Sequence, residues 1–157
     1  MTMPPMAGAA RAADSLGVFD GWGAFRDGGQ GRCYAIAEPG RSSPSGGGGH
    51  PYAAIGTWPD RGVRGQFHVR LSRQPAEKSR VYLSLGERRF ALVSQGQDIW
   101  SQDAAMDGAI VSAMRSAQTM SVEGTARNGR AFYDLYVLKG AATAMDAAAL
   151  ACMDSGG

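Results

Sequence analysis

Few residues in this chain are of types that move protons, bind metals or attack a substrate. The histidines are His50 and His68, and the cysteines are Cys33 and Cys152. A hydrolytic triad needs a nucleophile, a base and an acid that orients the base. His50 falls in "GGGGHP", a loop-like stretch that would hold no fixed geometry. His68 falls in "QFHVRLSR", where it alternates outward with Arg70 and reads as an exposed strand residue. No Asp or Glu accompanies either histidine at ligand spacing, so no metal site is expected. The cysteines are too far apart for a zinc knuckle or a Cys-x-x-Cys redox motif. They are either two inert buried thiols or the ends of one long-range disulfide. The glycine run in "SPSGGGGHP" lacks the Gly-Lys-Ser/Thr ending and following helix of a phosphate loop. No catalytic residue and no cofactor are expected, and the chain reads as a non-enzyme.

Two carboxylates need placing. Glu123, in "MSVEGTAR", alternates outward with Ser121 and Thr125. Asp134, in "FYDLYVL", shares a face with Phe132, Tyr136 and Leu138. If that face is covered, Asp134 must be hydrogen-bonded or paired. A half-open edge, which would leave it solvated, is the simpler expectation. A paired-carboxylate mechanism would need a second acid nearby, which the sequence does not show. Arg61, Arg64, Arg70, Arg73, Lys78 and Arg80 occur with only Asp60 and Glu77 as acids among them. They could form a positive strand face for an anionic lipid, a glycan, a small ligand or an acidic protein. A solvated strand face is the plainer reading. Trp58 and Trp100 flank this stretch and are expected in the core rather than on the rim of a patch. The net charge of +2 is too weak to argue for nucleic acid.

The elements that must position these residues are short. The 157 residues suit one domain. A 44% hydrophobic and 19% charged composition is that of a globular chain rather than a disordered one. No apolar run reaches the roughly 18–20 residues of a membrane span. Residues 1–15 read as a disordered tail or a signal-peptide remnant. Their "AARAAD" resembles the small-residue end of a cleavage site, without the basic start and apolar stretch. Residues 16–153 form the domain, with a flexible Gly, Ser and Pro-rich loop at 38–51, and 154–157 a tail. "LGVFDGWGAF" reads as one bent strand and "RCYAIA" as a covered central strand. "YAAIGTW" reads as a further strand, and "QFHVRLSR" as a half-buried antiparallel one with Phe67, Val69 and Leu71 on its inward face. "RVYLSLGERRFALVS" predicts a hairpin turning at Gly86 and Glu87, with Val81, Leu83, Leu85, Phe90 and Leu92 inward. "DAAMDGAIVSAMR" changes to helical spacing, with Asp103 or Ser101 as cap. Asn128-Gly129 predicts a type I′ turn between two strands. The alanine-rich "GAATAMDAAALACM" predicts a helix with Ala142, Met145, Ala149 and Cys152 on one face. That face would aim Cys152 at the sheet holding Cys33. About seven or eight strands with two helices predict a mainly β chain, an antiparallel β-sandwich with one inserted and one C-terminal helix.

One ordered set of segments spans the chain from Leu16 to Cys152. It runs "FDGWGAF", "RCYAIAEP" before a variable loop, "PYAAI", "GERRFALVSQGQDIWSQDAAMDGAIVSAMRSAQTMSVEGTARNGR" and "YDLYVLKGAATAMDAAALAC". In that order the set resembles the invasion-associated locus B family of proteobacterial envelope proteins. No single motif in it is catalytic or diagnostic. The resemblance implies an immunoglobulin-like sandwich, a periplasmic or secreted location and no enzymatic activity. It also implies a disulfide between Cys33 and Cys152. Relatives act in envelope interaction or host-cell entry, so the implied partner is another envelope component or a protein, not nucleic acid.

Overall fold

The computed structural model describes residues 13–43 and 49–155. Most of the tail expected at 1–15, part of the loop expected at 38–51, and residues 156 and 157 lie outside them. The strands are β1 (Asp14–Phe19), β2 (Trp22–Asp27), β3 (Arg32–Ala37), β4 (Arg41–Ser42), β5 (Tyr52–Trp58), β6 (Val63–Arg70), β7 (Val81–Leu85), β8 (Arg88–Gln95), β9 (Asp98–Trp100), β10 (Thr119–Thr125) and β11 (Ala131–Val137). The helices are α1 (Ala104–Ser116) and α2 (Ala141–Ser155). The chain is mainly β, in one antiparallel sheet of order β1-β2-β3-β5-β6-β9-β8-β7-β10-β11-β4. Strand β8 joins its two halves. Arg88–Leu92 pair with β7, and Val93–Gln95 pair with β9.

Eleven strands replace the expected seven or eight, for local reasons. The segment read as one bent strand is a hairpin. Phe19 pairs with Trp22 across Asp20 and Gly21, with Asp20 left-handed at φ 55°. The stretch read as a flexible loop contains β4, where Ser42 and Arg41 pair with Asp134 and Leu135 of β11. The β10–β11 turn is not type I′. Gly129 alone is left-handed, at φ 83°. Its N–H donates to Ala126 O at 2.9 Å, and the Ala126 N–H donates to Arg130 O at 2.8 Å. That is a three-residue loop closed by a left-handed glycine, the next commonest hairpin solution. Residues 154 and 155, expected as tail, continue α2.

The sheet's inner face reads directly from alternation. Cys33, Ala35 and Ala37 of β3 are buried, as are Phe67 and Val69 of β6 and Val81, Leu83 and Leu85 of β7. Helix α1 is capped by Asp103, whose side chain accepts from the Met106 N–H at 2.8 Å. It lays Ile110 and Met114 into the core, against β6 and β7. Helix α2 packs on β1, β2, β3 and β5. Its buried face is Ala141, Ala144, Met145, Ala148 and Cys152. This is rotated from the expected face, since Ala149 is exposed. Alanines on both surfaces, including Ala24, Ala35 and Ala53 below, let the helix approach closely. Cys33 and Cys152 close this contact as a disulfide, with Sγ atoms 2.08 Å apart and Cα atoms 5.9 Å apart.

Two buried carboxylates tie distant segments together. Asp134 is fully buried, so the half-open edge expected for it is wrong. Strand β4 lies beyond β11, and Asp134 accepts from Ser42 Oγ at 2.6 Å and from the Ser72 N–H at 2.9 Å. Asp107 of α1 is also buried. It accepts from Ser101 Oγ and, at 2.9 Å, from the backbone N–H of Phe67. The β6–β9 ladder ends at His68 and Trp100, so the helix carboxylate takes the next strand N–H. Both arrangements satisfy donors that would otherwise be buried unpaired.

Candidate functional site

The face of the sheet turned away from the core carries an aromatic and charged cluster. Register aligns it: Phe25 stands opposite Tyr34, His68 opposite Trp100, Tyr52 opposite Arg70, and Arg70 opposite Asp98. His68 stacks on Trp100 with ring centres 4.9 Å apart and meets the edge of Tyr52 at 5.4 Å. Its Nε2 lies 3.0 Å from Asp98 Oδ1, while Arg70 Nη1 donates to Asp98 Oδ2 at 2.8 Å. One carboxylate thus bridges an imidazole and a guanidinium. The His68 side chain is only 18% exposed. The expectation of an exposed histidine without an acid is therefore overturned. Strand β9 delivers Asp98 from thirty positions away, which local spacing cannot show.

Burial lowers the His68 pKa below the ordinary imidazole value, and the hydrogen bond to Asp98 opposes this only in part. The ring is neutral near pH 7. The tautomer with the proton on Nε2 is the one that donates to Asp98 Oδ1. A neutral imidazole oriented by a carboxylate is two-thirds of a hydrolytic triad. Among the described residues no hydroxyl or thiol hydrogen-bonds to His68, so the pair has no nucleophile of its own. Its evident effect is to lock the Trp100 and Tyr52 rings in place.

Beside this cluster Arg32 lies between two rings. Its guanidinium carbon is 4.3 Å from the Tyr34 ring centre and 4.7 Å from that of Trp58. Gly56 makes the slot. A Cβ there would sit 3.0 Å from Trp58 Cζ3 and 3.2 Å from Arg32 Nε. Burial lowers the Arg32 pKa, and its Nε has no hydrogen-bond partner among the described residues. Stacking on two rings compensates a guanidinium better than it would an ammonium. Trp58 and Trp100 are both half-buried on this face, not in the core. The sequence reading missed Arg32, Tyr34, Tyr52 and Asp98. The period-2 pattern of "RCYAIA", which sets Arg32 and Tyr34 on the face opposite Cys33, was the available signal.

The six basic residues of the 61–80 stretch do not converge. Arg61 lies in a 3₁₀ turn, 6.0 Å from the Trp58 ring centre. Arg70 is engaged by Asp98, and Arg73 donates to Ser43 O at 3.0 Å. Lys78 occupies a left-handed turn position at φ 63°, and Arg80 is exposed just before β7. Arg64 is carried to the helix side of β6 by a bulge at Gly65, where it lines a groove between α1 and α2. Interrupted alternation is thus what disperses the expected positive strand face. Glu123 is half-buried between Tyr82 and Tyr133 in register, and His50 is exposed.

Among the described residues no group of three or more His, Cys, Asp or Glu could hold a metal ion. None of their helices is long and apolar enough to cross a membrane. The chain matches no protein-family model, no curated protein and no solved structure.

Proposed function

We propose that this chain is a non-enzymatic, exported domain of the invasion-associated locus B type, acting by contact with another envelope component or a protein. The observation that carries this reading is the disulfide. It joins β3 to α2 across 119 positions, and both cysteines are buried. Such bonds form and persist in oxidising compartments, which for a bacterium are the periplasm and the exterior. The proposed topology is an immunoglobulin-like sandwich, with β8 as the strand shared between two packed layers. The outer face of β2, β3, β5, β6 and β9 is the proposed contact surface. Its half-buried Tyr, Trp and Arg side chains are the types that dominate binding energy at interfaces.

The test is a free-thiol count on unfolded, unreduced protein from its native host, together with fractionation. No free thiol and recovery outside the cytoplasm is the expected result. Two free thiols in a cytoplasmic fraction would end the export reading. A second reading, a module for an anionic lipid, a glycan or a small ligand, draws on the arginine held between Tyr34 and Trp58. Binding that weakens steeply as salt rises through the physiological range would favour it.

A further inference from the structure

A groove of about 590 Å³ runs between α1 and α2, floored by the β5–β6 hairpin. Its size falls within the roughly 300–1,000 Å³ of small-ligand sites. The walls are apolar, with Ile55, Val111, Met145, Ala148 and Met153. Met153, at the mouth of the groove, is 71% exposed and flexible enough to fold over a ligand. Two cations line the groove, Arg64 and Arg115, and no carboxylate does. Arg115 is held by Asp146 at 2.7 Å. Arg64 has no ion-pair or hydrogen-bond partner among the described residues.

A second observation points the same way. Gly108 lies inside α1 and lines this groove. A glycine in a helix interior destabilises it by about 1 kcal/mol relative to alanine. Nothing inside the molecule requires it, because a Cβ there would meet no atom within 4 Å. The space it leaves open is space in the groove. Gly62 and Gly65, also on the groove, are explained by left-handed backbones at φ 66° and 63°. Gly108 has no such reason.

We infer that this groove binds a fatty acid, its acyl chain along the apolar walls and its carboxylate at Arg64. A trough that is apolar within, lined by no carboxylate and cationic at the rim through Arg64 complements a single-chain anionic amphiphile. It complements neither a cationic one nor a neutral one. The inference needs only the folded, oxidised domain and is independent of where the protein resides.

The experiment uses the purified full chain and cis-parinaric acid, a fatty acid that fluoresces on entering an apolar site, below its micelle concentration. Saturable one-to-one uptake, displaced by dodecanoate, is expected. Dodecanol and dodecyltrimethylammonium should displace it about tenfold less well, as for loss of one charge-assisted contact. Arg64→Glu should weaken uptake by at least about tenfold. Gly108→Leu should abolish uptake without lowering the melting temperature. Absence of saturable uptake would overturn the proposal, as would equal displacement by the anionic and cationic chains. Full affinity in Gly108→Leu would do the same. Should that variant fail to fold, Arg64→Glu decides, because it alters an exposed side chain.

Discussion

Opening the Cys33–Cys152 bond is the perturbation whose size follows most directly from the structure. The bond spans 119 positions. For a loop of that length, chain entropy alone puts its contribution near 5 kcal/mol. A domain of this kind is stable by only about 5–15 kcal/mol in total. The loss should also be local. Four of the residues that α2 buries besides Cys152 are Ala141, Ala144, Met145 and Ala148, so only Met145 offers a large apolar surface. Near the bond a further tie is the Arg26 guanidinium, which donates to Ala151 O at 2.8 Å. Reduction should therefore release the end of α2 first and lower the melting temperature by about 10–20 °C. The assay is urea and thermal unfolding of oxidised and reduced wild-type protein, with hydrogen exchange read over 141–155 and 104–116. Comparing the same chain in two redox states keeps both sulfur atoms, so the difference isolates the cross-link from packing. The m-value should rise on reduction, because the uncrosslinked denatured chain exposes more surface. A stability loss under about 1 kcal/mol, with unchanged exchange protection in α2, would refute the reasoning.

Gly140→Ala should destabilise by about 3 kcal/mol or more, because φ is +90° and the new Cβ would lie 2.0 Å from Phe19 O. A denaturation midpoint equal to wild type would show that the β1–β2 turn yields at no cost. Asp107→Ala should cost about 1–3 kcal/mol by stranding the Phe67 N–H, the Ser101 hydroxyl being free to turn to Asp103 O at 3.0 Å, and a chemical denaturation series checks it. His68, facing Asp98, Arg70, Arg32 and Tyr52, has a folded pKa below its unfolded value near 6.5. Between those two values the unfolded chain binds more protons, so this contribution is complete above about pH 6.5 and fades as pH falls. Urea midpoints at pH 5, 6 and 7 should therefore slope less steeply in His68→Gln than in wild type, and parallel slopes would count against it.

Much of the fold was legible because helix and strand periods are local. Phe67, Val69 and Leu71, then Val81, Leu83, Leu85, Phe90 and Leu92, were read inward from alternation and are all buried. Helix α1 and its Asp103 cap were readable for the same reason, since the capping oxygen and the N–H it accepts are three residues apart. The turn at Gly86 and Glu87 was equally local. Loops were harder. The two-residue β4 has no pattern of its own and exists only because β11 offers an edge. The Asn128-Gly129 turn took another form because a hairpin's closing geometry depends on the strands it joins.

The sequence by itself determined which side chains each segment turns to one face or the other, and hence the mainly β character and the two helices. It also set Arg32 and Tyr34 opposite Cys33. Only the tertiary structure decided which faces meet. It brought Asp98 under His68, buried Asp134 behind β4, rotated α2 by about one position, and split the basic residues between a groove, a ring stack and a carboxylate pair. The physical reason is range. Periodicity acts over a few residues. Register, bulges and strand order are set by pairing between segments distant in sequence, whose partners are chosen by the packing of the whole domain.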